Sequence, residues 1–343
     1  MTTEKRFKIS VVIPTYNMGE TIGETVKSIL NQTYKNFEIV IQDNCSSDNT
    51  REIVKEFSKK PIRFFRNKEN LGYAKNLTEG IKNARGDIVF LLGADDILST
   101  DALQRTNNAF GISHNIGAVT RPYYWFQEKI DSPIRITPIL DENSDEIVYI
   151  KDISRAARVL HNEILGQLSG LAFRKEYLKS NFLTAENDWI AHGYPFVNIF
   201  KEHPVVFLKD FQVAIRIGEN NVRQKGSDLY RISPTKRWVE MLDELLSEKK
   251  FSNLKSHYLK NTIGANFVGL VQIRCYSSFK HVIREIYYLL KLNWLNIFNI
   301  KFWFFSLGCI FIPSSILAGI VDYYKNKVNS KMIGKLNFEY SLA

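Results

Sequence analysis

The N-terminal part of the chain alternates short apolar runs with amphipathic segments, and this alternation restricts the fold more than any other feature. The apolar runs, which are typical of buried strands, are residues 9–13, 37–41, 62–65 and 88–92. The segments between them, whose apolar residues have helical spacing, are 21–32, 51–57 and 73–84. Strands joined by crossover helices form a parallel sheet with helices on both faces. We therefore predict a Rossmann-like α/β fold.

Two adjacent carboxylates, Asp95 and Asp96, follow the predicted strand at residues 88–92. Acidic residues at the exposed end of a buried strand are suited to holding a hard divalent cation against a phosphate-bearing substrate. A structural alternative is that Asp96 caps the next helix while Asp95 is a solvated turn residue. The loops at residues 14–19 and 43–49 also leave strand carboxyl ends, the usual place for a ligand in such a sheet.

Positive charge is concentrated near the C-terminal end of the chain. The 343 residues carry a net charge of +10, and residues 249–343, with 13 Lys/Arg and 3 Asp/Glu, account for all of it. A basic region of this kind can serve a nucleic acid or an anionic membrane. A groove for nucleic acid alternates basic residues with exposed aromatic rings, whereas this region is strongly apolar at helical spacing. We therefore expect no nucleic-acid partner.

Residues 302–321 form an uncharged stretch that is just long enough to span a bilayer. Pro313 divides this stretch, and a proline suits the first turn of a new helix better than a helix interior. After Pro313 a single apolar stripe is predicted, formed by Ile316, Leu317, Ile320, Val321 and Tyr324. We favour amphipathic helices lying in the interface of an anionic inner membrane. A transmembrane span and a soluble helical subdomain or dimer interface are the alternatives.

The rest of the chain is less regular. Residues 118–126 and 169–173 are predicted strands, 152–161 a helix and 133–146 a polar loop. The N-terminus lacks an apolar signal-peptide core, and Cys45, Cys275 and Cys309 are too scattered for a disulfide framework or a metal site. Both observations predict a cytoplasmic protein. A nicotinamide dehydrogenase is not indicated, because the loop at residues 14–19 lacks the required glycine pattern.

Four segments, taken in order, carry a family resemblance. They are residues 10–17 (SVVIPTYN), 42–50 (QDNCSSDNT), 70–76 (NLGYAKN) and 86–96 (GDIVFLLGADD). Together they resemble the nucleotide-sugar domain of the family 2 glycosyltransferases, which have the GT-A fold and invert the anomeric centre. The resemblance is strong to about residue 100, weaker to about residue 200, and only compositional beyond.

The resemblance implies a donor site for a nucleoside-diphosphate sugar, with a UDP-sugar favoured. Asp43 matches the position whose carboxylate accepts a hydrogen bond from the base, and its structural alternative is a turn residue. Asp95 matches the ligand of a divalent cation, Mn²⁺ or Mg²⁺. Gly93 stands where the family has a second aspartate, so either Asp96 also binds the metal or water replaces the missing ligand. The other donor-binding positions implied are Pro14, Thr15, Tyr16, Asn44, Lys75 and Ala94.

The resemblance also implies a general base that takes the proton of the acceptor hydroxyl. The family's Glu-Asp pair is split here, because Asn187 separates Glu186 from Asp188. Aligning the following tryptophan favours Asp188 over Glu186. Trp189 is expected to stack on a sugar ring and His192 to contact the acceptor, although core packing and a structural histidine are equally open. Arg216, Arg223 and Lys225 are candidates to contact the donor diphosphate or a lipid diphosphate acceptor, and the alternative is that they are solvated loop residues.

We therefore expect a GT-A domain at residues 1–230, with a nucleotide-sugar half (1–110) and an acceptor half (111–230). A helical region at 231–343 would associate peripherally with the cytoplasmic face of the membrane. The expected activity transfers one sugar per encounter to a hydroxyl of a glycan, in polysaccharide, O-antigen or capsule-type assembly. The glycan acceptor is expected to carry a polyprenyl diphosphate. The alternatives are a polyprenyl-phosphate sugar transferase and a catalytically silent glycosyltransferase-like subunit.

Overall fold

The computed structural model describes residues 6–178, 190–218, 230 and 232–343. The chain divides into two compact units. The first comprises Met1–Arg155, Glu163–Arg216 and Lys335–Ala343, and the second comprises Ala156–Asn162 and Ile217–Gly334. The C-terminal residues from Lys335 onward thus belong to the first unit, although the sequence placed them with the helical region.

A parallel sheet forms the centre of the first unit. Its first strands, all predicted from the apolar runs, are β1 (Ile9–Thr15), β2 (Phe37–Asp43), β3 (Ile62–Arg66) and β4 (Ile88–Leu91). They lie in the order β3-β2-β1-β4, and every neighbouring pair is parallel. The crossover helices are α1 (Ile22–Leu30), α2 (Thr50–Lys55) and α3 (Tyr73–Asn83). The predicted order of strands and helices is confirmed.

The sheet continues beyond β4 with mixed directions. The added strands are β6 (Ala118–Thr120), β9 (Glu146–Val148), β10 (Ala172–Arg174) and β11 (Val205–Phe207). β10 is antiparallel to both β4 and β6. A second sheet contains β5 (Ile97–Leu98), β7 (Tyr123–Phe126), β8 (Arg135–Ile136) and β12 (Val213–Arg216). The helices of this part are α4 (Ala102–Gly111), α5 (Ile153–Val159), α6 (Asn162–Leu165) and α7 (Gly193–Phe200).

The predicted strand at residues 118–126 is wrong as a single element, because it is broken between β6 and β7 and its halves join different sheets. The break falls at Arg121 and Pro122, and a proline cannot donate a ladder hydrogen bond. The Arg121 guanidinium is buried and donates to the Gly170 carbonyl (3.1 Å), Gln212 Oε1 (2.7 Å) and Thr106 Oγ (2.8 Å). The predicted polar loop at 133–146 is also interrupted, by β8.

The second unit is helical where it is described. Its helices are α8 (Pro234–Leu245), α9 (Ser252–Asn261), α10 (Val268–Tyr276), α11 (Phe279–Leu292), α12 (Ile300–Phe311), α13 (Ser314–Tyr323) and α14 (Ser330–Ile333). Pro313 separates α12 from α13, as its position predicted. Among the residues that the structure describes, no helix has the length and apolar character needed to cross a membrane.

Candidate active site

Four strand ends bring polar residues to one edge of the sheet. Because β1, β2, β3 and β4 are mutually parallel, their carboxyl ends lie at the same edge. The strand register pairs Thr15 with Asp43 and Asp43 with Arg66, so these three residues end neighbouring strands side by side. Gly93 to Asp96 follow the end of β4. The predicted grouping of these loops at one edge is therefore found.

Asp43 is completely buried at this edge, and its carboxylate is surrounded by donors. The backbone N–H of Ser46 donates to it at 3.2 Å, and the Ser46 hydroxyl donates to the same oxygen. Arg66 Nη1 lies 3.3 Å from Asp43 Oδ2, and about a third of the Arg66 side chain is exposed. Sequence reasoning missed Arg66. The signal that identifies it is the pairing register of β3, which a sequence does not show.

The loop after β1 is tied to the loop after β2. Asn17 N–H donates to Ser46 Oγ (2.8 Å), and Ser47 N–H donates back to Asn17 Oδ1 (2.8 Å). Asn17 has φ +54° and Cys45 has φ +65°, a left-handed backbone conformation that costs non-glycine residues energy. Thr15 is buried, Pro14 is half-buried, and Tyr16 is exposed. The ring of Tyr16 is therefore accessible, next to the exposed Asn17.

Asn44, one of the expected donor-binding residues, is buried at the centre of a network of side-chain amides. Its side-chain N–H donates to Asn70 Oδ1 (2.7 Å), and its carbonyl accepts from Asn67 Nδ2 (2.9 Å) and Leu71 N–H (2.9 Å). Asn67 also donates to Asn76 Oδ1 on α3 (2.8 Å). Buried polar groups that satisfy one another in this way fix the backbone that carries them. The network holds the loop before α3 against the end of β2.

Gly93, Asp95 and Asp96 form a compact acidic turn. A Cβ atom built on Gly93 would lie 2.6 Å from Asp96 Oδ2 and 3.1 Å from Asp95 Oδ1. The Asp96 carboxylate therefore fills the space that a side chain at position 93 would need. Asp95 is half-buried, whereas Asp96 is buried. Burial raises the pKa of the Asp96 carboxyl well above its usual range, and the charge of Asp95 raises it further.

Both oxygens of Asp96 are already hydrogen-bonded. Gly93 N–H donates to Ser169 Oγ (2.8 Å), so the Ser169 hydroxyl donates onward to Asp96 Oδ2. The other oxygen accepts the Arg216 backbone N–H (3.0 Å). These bonds favour a positioning role for Asp96 over direct metal binding.

Arg216, at the end of β12, places a cation beside the acidic turn. Its Nε donates to the Asp95 carbonyl (3.1 Å), and its guanidinium pairs with Glu24 and lies 4.8 Å from the ring centre of Phe126. The side chain remains 17% exposed. A guanidinium held in this way can meet a second anion through its exposed edge.

The remaining donor positions differ in accessibility. Lys75 is exposed in the first turn of α3, near the edge of the sheet where β2 ends. Ala94 is buried, and its carbonyl accepts the Thr21 hydroxyl (3.1 Å). The Lys75 side chain is therefore accessible to a ligand, whereas Ala94 can offer a ligand only its backbone groups.

His192 is buried and fully paired. Its Nε2–H donates to the Leu165 carbonyl (2.8 Å), which leaves Nδ1 to accept the Tyr73 hydroxyl (2.9 Å). Burial lowers the pKa of His192 to about 4, so the ring is neutral at physiological pH. These contacts favour the structural alternative, in which His192 joins α3 to the start of α7.

The predicted bases Asp188 and Glu186 and the stacking residue Trp189 lie outside the described residues, as do Arg223 and Lys225. Within the described ranges, no group of three or more His, Cys, Asp or Glu side chains is arranged to hold a metal ion. Asp95 is the half-buried carboxylate of the acidic turn, and among the described residues no two further side chains of these types accompany it in such an arrangement.

Solved structures identify the fold class. The protein is similar to S. aureus TarS 1–349 in complex with UDP-GlcNAc, with a TM-score of 0.62, 16% identity and 97% of both chains covered. It is also similar to the mannosyltransferase PcManGT from Pyrobaculum calidifontis in complex with GDP-Man and Mn²⁺, with a TM-score of 0.52, 16% identity, and 94% and 89% of the two chains covered. At such identities the likeness shows the fold alone. It confirms the predicted GT-A-type fold.

The sequence identifies the family. The profile of Glycosyl transferase family 2 matches residues 10–182, half of the chain, and the protein therefore belongs to this family. It is 31% identical over 180 residues, 51% of each chain, to the poly(ribitol-phosphate) beta-N-acetylglucosaminyltransferase TarP of Staphylococcus aureus (strain N315). It is 37% identical over 98 residues to the UDP-Glc:alpha-D-GlcNAc-diphosphoundecaprenol beta-1,3-glucosyltransferase WfgD of Escherichia coli, covering 29% of this chain and 39% of WfgD. The chain thus spans about half the length of TarP and less of WfgD.

Proposed function

We propose that this protein is an inverting glycosyltransferase that moves one sugar from a UDP-sugar to a hydroxyl of a glycan. The observation that carries the proposal is the edge of the parallel sheet, where Asp43 and Arg66 end neighbouring strands and Asp95 follows the end of β4. A base and a diphosphate need recognition groups a few ångströms apart, and this edge supplies them on rigid elements. The names of TarP and WfgD, both sugar transferases, support the same reaction class.

The base of the donor would lie on Tyr16, against the pair formed by Asp43 and Arg66. Tyr16 is the accessible ring of the first loop, and Arg66 is the exposed member of the pair. Because Arg66 and Ser46 surround the Asp43 carboxylate, a base N–H would contact Asp43 after displacing one of them. Lys75 and Arg216 would present cations to the diphosphate. Pro14 and Thr15 would shape the loop after β1, and Asn44 would hold the neighbouring Asp43 in place.

The acidic turn is compatible with a divalent cation at Asp95. Hard cations of the Mg²⁺ and Mn²⁺ type take oxygen ligands and retain several waters, so one protein carboxylate with phosphate oxygens and water is a chemically sufficient set. Such a cation, when bound, stabilises the negative charge that develops on the leaving diphosphate. We assign Asp96 the task of keeping Asp95 and the backbone of Arg216 in place.

We propose Asp188 as the group that accepts the proton of the attacking acceptor hydroxyl, with Glu186 as the alternative. Trp189 would support a sugar ring. A polyprenyl-diphosphate-linked glycan is the acceptor that the name of WfgD suggests by analogy. Such an acceptor lies in a membrane, so we propose peripheral attachment at the cytoplasmic face. A polyprenyl-phosphate sugar transferase would instead use a phosphate oxygen, and transfer to polyprenyl phosphate but not to a glycosylated lipid would identify it.

The reaction is tested by substituting Asp95 and measuring the release of UDP from UDP-sugars in the presence of Mn²⁺ or Mg²⁺. Asp95→Asn removes the charge at the diphosphate end of the site and should lower the rate by about a hundredfold or more. Asp243→Asn is the matched control, because Asp243 is an exposed carboxylate on α8 that pairs with Lys255, and its loss should change little. A protein that releases no UDP before substitution would be the catalytically silent subunit.

The same assay separates the two candidate bases. Asp188→Asn should abolish transfer to the acceptor and leave UDP binding near its original affinity, because the base acts only when the acceptor hydroxyl attacks. Unchanged transfer in Asp188→Asn, together with loss in Glu186→Gln, would move the assignment to Glu186.

A further inference from the structure

Helix α12 in the second unit is apolar on two opposite sides. Phe302, Ser306 and Cys309 face the core of that unit and are buried. The opposite side of the helix is formed by Ile300, Trp303, Phe304, Leu307 and Phe311, all of them exposed. A surface helix of a globular protein normally has polar residues on its outer side. The outer side of α12 therefore lacks the composition of a solvated face.

The exposure of these side chains is large. Ile300 is 83% exposed, Phe304 73% and Phe311 77%. Each such side chain removed from water stabilises the buried state by about 1.5–3 kcal/mol. A contiguous apolar surface of this kind marks an interaction site. The outer side of α12 is thus suited to contact with a non-aqueous surface or with another molecule.

The turn before α12 extends the same surface. Trp294 is 65% exposed and Phe298 77%, and their ring centres are 6.0 Å apart. The indole N–H of Trp303 donates to the Ile297 carbonyl (2.7 Å), which fixes the turn against the first part of the helix. We call the outer side of α12 together with Trp294 and Phe298 the apolar face.

Lysines border the apolar face along the chain. Lys291 and Lys301 flank the turn at residues 294–298, and both are exposed, as are Lys327 and Lys331 beyond α13. The region at 249–343 carries 13 Lys/Arg against 3 Asp/Glu. A second copy of the chain would bring the same positive charge to the contact, which disfavours self-association. An anionic surface is complementary to it.

We infer that the apolar face inserts into the interfacial layer of an anionic phospholipid membrane, with the lysines contacting the lipid headgroups. Tryptophan and other aromatic side chains are suited to this layer, and each lysine near an anionic leaflet adds to binding. α13 presents Ile316, Ile320 and Tyr323 on its own exposed side. The inference rests on the proposed function only in that a lipid-linked acceptor would give the attachment a purpose.

The test is co-sedimentation of the full chain with vesicles of phosphatidylcholine alone or mixed with phosphatidylglycerol. Phe298→Ser combined with Phe304→Ser should weaken binding to the anionic vesicles about a hundredfold or more, because two inserted side chains are lost. Ile112→Ser combined with Tyr149→Ser is the matched control, since both residues are at least half exposed but lie in the first unit. A truncation is unsuitable, because it would also remove Lys335–Ala343 from the first unit.

A charge pair of variants tests the headgroup contacts. Lys301→Glu with Lys327→Glu should weaken binding more than tenfold, whereas Lys59→Glu with Lys60→Glu, which changes the net charge equally, should not. Equal loss in both pairs, or binding to neutral vesicles alone, would overturn the inference. So would a dimer in sedimentation velocity that Phe304→Ser dissociates without any vesicle binding. UDP release by each variant is measured in parallel, so that loss of membrane binding and loss of activity are distinguished.

Discussion

At the scale of single residues, the acidic turn carries its carboxylates differently from the family pattern. Position 93 is a glycine, and the Asp96 carboxylate occupies the space that a side chain there would take. The bonds from Ser169 and Arg216 then hold Asp96 in that place. Cys45 is a different case, because it has φ +65°, a backbone conformation that favours glycine. At position 93 the neighbouring Asp96 carboxylate thus takes the space of a side chain. At position 45 a cysteine is tolerated in a strained backbone conformation.

His192 gives a pH prediction at the same scale. Its pKa is about 4 in the folded protein and about 6.5 when unfolded, so the unfolded chain binds more protons between these values. Stability should therefore fall as the pH falls through this window, by about 2 kcal/mol between about pH 7 and about pH 5. His192→Gln keeps a donor and an acceptor but cannot titrate, and it should remove this part of the loss.

The free energy of unfolding at the two pH values, measured by urea denaturation, checks the prediction. His257→Gln, an exposed position on α9, serves as the control and should retain the pH dependence of the original protein. An unchanged dependence in His192→Gln would show that other groups cause it.

At the scale of elements, α3 approaches the sheet closely at a glycine. A Cβ atom on Gly80 would lie 2.8 Å from Val12 Cγ1 on β1 and 3.2 Å from Gln42 Cβ on β2. Gly80→Ala should therefore push α3 away from the strands and lower the free energy of unfolding by about 1–3 kcal/mol. Gly111→Ala at the end of α4 is the control, because nothing lies within 4 Å of its Cβ position. Thermal unfolding of both variants measures the difference, and equal midpoints would refute the close-packing argument.

The elements that sequence reasoning placed correctly are those whose signal is local. The apolar runs and helical spacing of the first unit gave β1–β4 and α1–α3, with ends shifted by a few residues. The stretch at 118–126 was misjudged because residues that suit a strand lie on both sides of Arg121 and Pro122, small or β-branched before them and aromatic after them. Pro122 and the buried hydrogen bonds of Arg121 lie at the point where it divides between two sheets.

At the scale of the whole molecule, the C-terminal segment Lys335–Ala343 completes the first unit. Phe338 is 9% exposed and meets the ring of Tyr124 edge-on at 5.1 Å, in a cluster with Ile97 and Phe126. Thr100 N–H donates to the Glu339 carbonyl (2.8 Å). Strand β5 begins at Ile97, directly after the acidic turn. The C-terminal segment Lys335–Ala343 therefore packs against the strand that follows Asp96.

Phe338→Ala should therefore lower the free energy of unfolding by about 3 kcal/mol, since a packed phenyl ring is lost from this cluster. Phe298→Ala removes the same atoms from a side chain that is 77% exposed and should change stability by less than about 0.5 kcal/mol in solution. Denaturant unfolding of both variants provides the comparison. Equal effects would mean that the segment does not pack on the first unit in solution.

The sequence by itself determined the central α/β architecture and the family, and it singled out Asp43 and Asp95 as candidate site carboxylates, because each depends on periodicity or on motifs within one short segment. The tertiary structure decided what depends on distant partners. It paired Arg66 with Asp43 through strand register, paired both nitrogens of His192, and returned Phe338 to Tyr124. It also showed which side of α12 is uncovered. Burial and pairing are properties of the assembled chain, and a local pattern cannot specify them.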